Sequence, residues 1–262
     1  MSLELLLPRA GRRLERYAPR AEPPAWPKPQ GPIRSRVAYA AAHVVKDPLG
    51  PDSGPDAIDW EATVAYRRHL WSYGLGVADA MDTAQRGMGL DWEATKALVR
   101  EACAAARAAG GAIVCGANTD QGPEGALLSL DDIADLYLEQ VEHIEAAGGR
   151  VVVMCSRHLA KAAKGPEDYA YVYDRVLSRV KEPAIVHWLG EMFDPALTGY
   201  WGSRDVAAAM DACLEVLGRH AAKVEGIKLS LLDAGHEVAM RARLPAGVRM
   251  FTGDDFNYPE LI

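Results

Sequence analysis

From Arg36 onward, short apolar runs alternate with longer amphipathic ones, and the alternation repeats seven times on the strand side. Strand candidates begin near Arg36, Gly76, Ala112, Arg150, Ala184, Glu225 and Val248. Helical stretches lie between them at 59–73, 91–109, 130–147, 166–181, 204–222 and 233–242. Strands separated by helices pair in parallel most economically, because a helix-length crossover returns the chain to the same end of the sheet. Two of the helices open on the same words, Asp59-Trp60-Glu61-Ala62-Thr63 and Asp91-Trp92-Glu93-Ala94-Thr95. The aspartate suits an N-cap and the glutamate suits the positive end of the helix dipole. Gly110-Gly111 and Gly148-Gly149 follow helical runs and precede strands, where a C-terminal cap needs positive φ.

This pattern predicts an α/β fold, a TIM (β/α)8-type barrel. Seven strands are one short, and the chain stops at Leu261-Ile262 where a seventh helix would begin, so the expectation is a barrel lacking its last β/α unit in this chain. Truncation and completion by another segment or chain both stay open. Residues 1–33 carry many prolines and arginines, as in Pro23-Pro24-Ala25-Trp26-Pro27-Lys28-Pro29, and read as an extended N-terminal arm without packed elements. Residues 34–262 read as the barrel domain, C-terminally incomplete.

At 262 residues, 49% hydrophobic and 25% charged, the chain has enough apolar surface for one large core. A formal net charge of -7, with no basic run interleaved with aromatics beyond the arm, argues against nucleic acid as a partner. Leu5-Leu6-Leu7 before Pro8 is too short for a signal-peptide core, and no apolar stretch is long enough to span a bilayer, so no membrane partner is expected. Cys103, Cys115, Cys155 and Cys213 contain no Cys-x-x-Cys pair, which favours reduced thiols in a cytoplasm over a zinc knuckle or a disulfide framework. A small molecule is the expected partner.

Lys228 stands alone in the apolar segment Gly226-Ile227-Lys228-Leu229-Ser230. Period-two alternation puts Gly226, Lys228 and Ser230 on one face, with Ile227 and Leu229 on the other. A lysine among apolar neighbours loses solvation of its ammonium form, and the neutral amine that results can attack a carbonyl. The plainer reading is a strand-end lysine reaching solvent. In such barrels, however, catalytic groups gather at the C-terminal ends of the strands. Those ends carry His43 and Asp47, then Asp79, Asp82, Thr83 and Gln85, then Asn118, Thr119 and Asp120. Next come Ser156, Arg157 and His158, the run His187-Trp188-Leu189-Gly190-Glu191, then Lys228 with Ser230, and Thr252-Gly253-Asp254-Asp255. Any single loop aspartate among them reads as easily as a helix cap. His187 shares a face with Ile185 in a strand expected to be buried, where a histidine needs a polar partner. Trp188 and Trp201 read as packing residues.

Four motifs in order resemble the dihydrodipicolinate synthase and N-acetylneuraminate lyase superfamily of class I aldolases. They are Ile58-Asp59-Trp60-Glu61-Ala62, Val114-Cys115-Gly116-Ala117-Asn118-Thr119, Gly226-Ile227-Lys228 and Thr252-Gly253-Asp254-Asp255, and the likeness runs from about Arg36 to the last residue. The third resembles the Schiff-base strand of that superfamily, and an uncharacterised dihydrodipicolinate-synthase-like branch fits best. The resemblance implies a (β/α)8 barrel and a homo-oligomer. Two departures accompany it. Met81-Asp82-Thr83-Ala84-Gln85 stands where the family holds a keto-acid carboxylate with Gly-Thr-Thr-Gly-Glu, and His187 stands where the family has a tyrosine proton shuttle. Asp82 would repel a carboxylate at close range.

The expected activity is therefore a lyase or aldolase forming a Schiff base through Lys228 with a ketone or aldehyde, hydroxylated and not simply pyruvate. Lys228, His187 and Asp82 are the catalytic candidates; Thr83, His43, Asn118, Glu191, Ser230 and Asp254 are the substrate-binding candidates. No cofactor is expected beyond the lysine itself. One alternative is a divalent metal held by His43, Asp82, His187, Glu191 and Asp254 for a lyase, isomerase or hydrolase. Another is a non-catalytic barrel subunit.

Overall fold

A computed structural model describes residues 4–11, 13–18, 26–29, 31, 33–82, 86 and 89–262. Its centre is a seven-stranded sheet formed by β3 (Tyr39–Ala41), β4 (Gly76–Asp79), β5 (Ile113–Ala117), β6 (Arg150–Met154), β7 (Ala184–Leu189), β8 (Val224–Ser230) and β9 (Arg249–Thr252). The strands are parallel and lie side by side in chain order. Between them run α1 (Trp60–Ser72), α2 (Trp92–Ala109), α3 (Leu130–Ala146), α4 (Arg157–Ala162), α5 (Pro166–Leu177), α6 (Val206–Arg219) and α7 (Ala234–Arg241), and α8 (Tyr258–Leu261) follows β9. The sheet curls enough for its first and last strands to meet through side chains: the Tyr39 and Phe251 rings lie 6.0 Å apart.

Both faces of the sheet are covered, as a parallel sheet requires. On the outer face Val77, Cys115, Val153, Val186, Ile227 and Leu229 pack with Leu98, Ile133, Tyr137, Val172, Tyr173 and Leu217 of the helices. Each leucine or valine buried here contributes about 1.5–3 kcal/mol. On the inner face a smaller cluster joins Met81, Val114, Val152, Met154 and Ile185 to Tyr39, Ala78 and Phe251.

The local signals act where the sequence placed them. Asp59 and Asp91 cap α1 and α2 by accepting from the backbone N–H of Ala62 at 2.9 Å and of Ala94 at 2.8 Å. Gly110 takes the left-handed conformation, with φ 64°, that ends α2. Three features depart from the sequence reading. The segment expected as an unpacked arm contains an antiparallel hairpin of β1 (Leu5–Arg9) and β2 (Arg13–Tyr17), in which Leu5 pairs with Tyr17 and Leu7 with Glu15. Its prolines and arginines masked the pairing, because backbone hydrogen bonds across a hairpin leave little trace in composition. The short helices α4 and α8 were absent from the sequence reading, since one or two turns are too brief for a hydrophobic period to show. Finally, β3 starts at Tyr39 rather than near Arg36.

Candidate active site

Register on β8 decides where the lysine points. His187 on β7 pairs with Lys228, and Phe251 on β9 pairs with Lys228 from the other side. Paired residues on neighbouring strands share a face, so His187 and Lys228 stand together inside the curled sheet. Lys228 borders a cavity of about 550 Å³ whose wall includes Ala41, Ala78, Val114, Val152, Ile185, Phe251 and Asp255. The small residues Ala41 and Ala78 leave room that bulky branched side chains fill in ordinary barrel interiors.

Burial pulls the Lys228 amine below its usual 10.5, while the negative charges of Asp82 and Asp255 oppose that fall. His187 is 1% exposed. Burial, helped by the positive charge of Lys228, holds its imidazole well below 6.5 and so neutral at ordinary pH. Its Nε2 lies 3.2 Å from Ser230 Oγ. Among the described residues its Nδ1 and Asp82 Oδ1 are both buried without a hydrogen-bond partner. Buried polar atoms are nearly always paired, and these two exceptions lie around one lysine.

The end of β9 closes the cell around Lys228. The Gly253 N–H donates to Leu229 O at 2.8 Å, which draws the glycine against β8. A Cβ at position 253 would overlap Ser230 Oγ and stand 2.8 Å from Lys228 Cε. Lysine, serine and glycine therefore share one tight space, and only glycine leaves room for the other two.

Other strand-end residues are committed elsewhere. Asp79 points to the outer layer, where Arg67 grips both its oxygens at 2.6 and 2.7 Å. Asp120 receives Arg86, whose guanidinium also donates to the carbonyls of Ala80 and Gly116 and to Gln140. Asn118 spends its side chain on Cys155 O and the Thr119 N–H. Thr119 Oγ1 bonds both Ser156 Oγ and His158 Nδ1. Asp254 reaches the cavity wall, but its carboxylate accepts from the backbone of Phe256 and Asn257 and from the Asn257 side chain, which shapes the turn into α8. His43 and Glu191 are exposed. Thr83 lies outside the described residues. Trp188 and Trp201 are buried in a knot of rings with Tyr169, Tyr173 and Tyr200.

Of the nine candidates, the fold thus gathers Lys228, His187, Asp82 and Ser230. It adds Asp255 and Gly253, which the sequence reading placed in a strand-end motif but not among the site candidates; Glu237, which sequence reasoning missed, lies behind Thr252. Asp255 follows a strand in a turn, where alternation no longer assigns a direction. Glu237 is fully buried on α7, three residues before the buried Met240, and that shared helical face was the available signal. Its Oε1 accepts from Thr252 Oγ1 at 3.2 Å, its Oε2 has no partner, and burial pushes its carboxyl up to about 7. Among the described residues no three His, Cys, Asp or Glu side chains gather as metal ligands. The proposed donor set is dispersed, with His43 and Glu191 at the surface and Asp254 engaged in its turn, so it does not fit a metal ion.

Several solved structures share this architecture at low identity. Dihydrodipicolinate synthase from Oceanobacillus iheyensis superposes with a TM-score of 0.56 at 15% identity, covering 80% of this chain and 59% of that one. A prophage protein of the dihydrodipicolinic acid synthase family from E. coli K12, in complex with pyruvate, gives 0.59 at 17% identity, covering 81% and 63%. The synthase from Cyanidioschyzon merolae with lysine bound gives 0.59 at 11%, covering 84% and 66%. At these identities the likeness is one of fold, that of the barrel predicted from the sequence. The match spans about six tenths of the first of these chains. No curated protein matches the sequence. The family described as "Protein of unknown function (DUF993)" matches residues 5–262.

Proposed function

Because this chain belongs to the family of proteins of unknown function DUF993, its chemistry must be argued from its own residues, and we propose that it is a class I aldolase-like lyase that forms a Schiff base through Lys228. The observation that carries the reading is a half-buried lysine of lowered basicity, lining a cavity in one cell with a buried, neutral histidine. A neutral amine adds to a ketone or aldehyde, and the iminium that follows is an electron sink for making or breaking a carbon–carbon bond. His187 acts as the acid/base, being neutral and able to accept a proton. Asp82 and Asp255 place negative charge beside the amine, which disfavours a second carboxylate there and favours a hydroxylated or neutral carbonyl compound over a simple 2-oxo acid.

The reading takes residues 34–262 as one barrel domain, acting on a small molecule in the cytoplasm as a homo-oligomer. Four free, buried thiols accord with a reducing compartment. No helix among the described residues is long and apolar enough to cross a membrane.

The test is reductive trapping. Incubation with borohydride and dihydroxyacetone, glyceraldehyde or pyruvate, followed by peptide mass analysis, is expected to add the reduced hydroxylated carbonyl to Lys228 and little pyruvate. The trapping rate is expected to rise with pH and level off below 10.5, because burial lowers the amine. Absence of any adduct on Lys228 with every probe would remove the imine.

A further inference from the structure

Ser230 stands at the meeting point of the cell. Its Oγ is 3.2 Å from His187 Nε2, and it abuts the same face of Gly253 that Lys228 Cε abuts. The serine is 2% exposed and its carbonyl is held by the Gly190 N–H at 2.9 Å, so its hydroxyl has little freedom to turn elsewhere. Among the described residues that hydroxyl makes no other hydrogen bond. A serine hydroxyl can accept one proton while it donates another.

We propose that Ser230 relays protons between Lys228 and His187 Nε2 during imine formation and is not a substrate-binding residue. The proposal rests on the Schiff-base reading. In the sequence it implies, the Lys228 ammonium passes one proton through Ser230 Oγ to His187 Nε2. The freed amine then adds to the carbonyl carbon, a C–N bond forms, and a second nitrogen proton moves through Ser230 to the carbonyl oxygen, giving a carbinolamine. The imidazolium returns its proton through Ser230 to the carbinolamine hydroxyl; the C–O bond breaks, water leaves and the iminium remains. One carbonyl and one ammonium have become one iminium and one water, with the single positive charge kept. His187 Nδ1, the nitrogen without a protein partner, is not used in the relay.

Gly253 supports the relay by its absence of a side chain. Any Cβ there would force Ser230 and Lys228 apart.

The experiment measures the rate of borohydride-trapped adduct formation by the full chain with dihydroxyacetone, from pH 6 to 10, for the wild type, Ser230→Ala, Ser230→Thr and His187→Asn. Ser230→Ala is expected to slow trapping about 10²-fold and to flatten the pH profile, while the amount trapped at long times is unchanged. Ser230→Thr, which keeps a hydroxyl at the same carbon, is expected to restore most of the rate, and His187→Asn to match Ser230→Ala without further loss when the two are combined. Wild-type speed and an unchanged profile in Ser230→Ala would overturn the relay and leave the imine standing. A wild type that forms no adduct would overturn both. Loss of folding in Ser230→Ala, seen by circular dichroism, shifts the decision to Ser230→Thr and His187→Asn: a slow, pH-flat His187→Asn beside a normal Ser230→Thr supports the relay, and a normal His187→Asn overturns it.

Discussion

Two corners of the same sheet hold charge in opposite ways. At the end of β4, Arg67 and Asp79 are both 0% exposed and densely bonded: two charge-assisted bonds join the side chains, the His43 and Thr63 carbonyls accept from Nη1, and the Ala80 N–H donates to the carboxylate. At the ends of β7 and β8, Lys228, His187 and Asp82 are brought together without such closure, and His187 Nδ1 and Asp82 Oδ1 are left without partners. On the Schiff-base reading proposed above, the difference separates scaffold from chemistry. A closed network fixes geometry because breaking any bond strands a buried charge. An open one keeps donors and acceptors unspent by the protein, which is what the proposed imine chemistry needs.

The comparison can be broken most completely at the open corner. Lys228→Met is expected to abolish the trapped adduct while moving the urea midpoint little, because the cost of burying the amine is removed together with its attraction to Asp82 and Asp255. A stable variant that still traps dihydroxyacetone would move the amine elsewhere. The closed corner should behave in the reverse manner. Arg67→Met leaves Asp79 buried without a counter-charge and is expected to cost about 3–5 kcal/mol in denaturant unfolding, with trapping by the residual folded protein at the wild-type rate. A cost below that of a surface substitution would show that the Arg67–Asp79 network is not what holds β4 to α1.

Glu237 sharpens the contrast by belonging to neither kind, with one oxygen bonded to Thr252 and the other without a partner. Burial raises its carboxyl from 4.5 to about 7, the nearby Asp254 adds to the rise, and Thr252 and Arg241 oppose it. The folded state therefore holds a proton that the unfolded state has already released between these values. Its contribution is fully present below about 4.5 and is lost as pH rises through about 7. Glu237→Gln is expected to unfold like the wild type at pH 4.5 and to be more stable by about 2 kcal/mol at pH 8, a modest figure for a shift of this size. Equal stability at pH 8 would mean that the carboxyl is not perturbed.

Much of the scaffold was readable from local rules. The strands beginning at Gly76, Arg150 and Ala184 start where the apolar runs start, and Asp59, Asp91 and Gly110 cap the helices they precede or follow. These outcomes depend on periodicity and backbone geometry within a few residues. The hairpin at Leu5–Tyr17 escaped because its evidence is a pairing between segments, and α4 and α8 escaped because they are shorter than a reliable period.

For the site, the chain by itself determined that a lone lysine sits on an apolar strand with a serine two residues on, and that a histidine occupies the neighbouring strand. Alternation carries that information, because successive side chains take opposite faces. Which carboxylates face the amine was decided only in three dimensions: Asp82 and Asp255 come to Lys228, whereas Asp79 turns outward to Arg67 and Asp254 closes its own turn. Loops have no fixed period, so the direction of an aspartate at a strand end follows from the packing around it and from which positive or N–H group reaches it first.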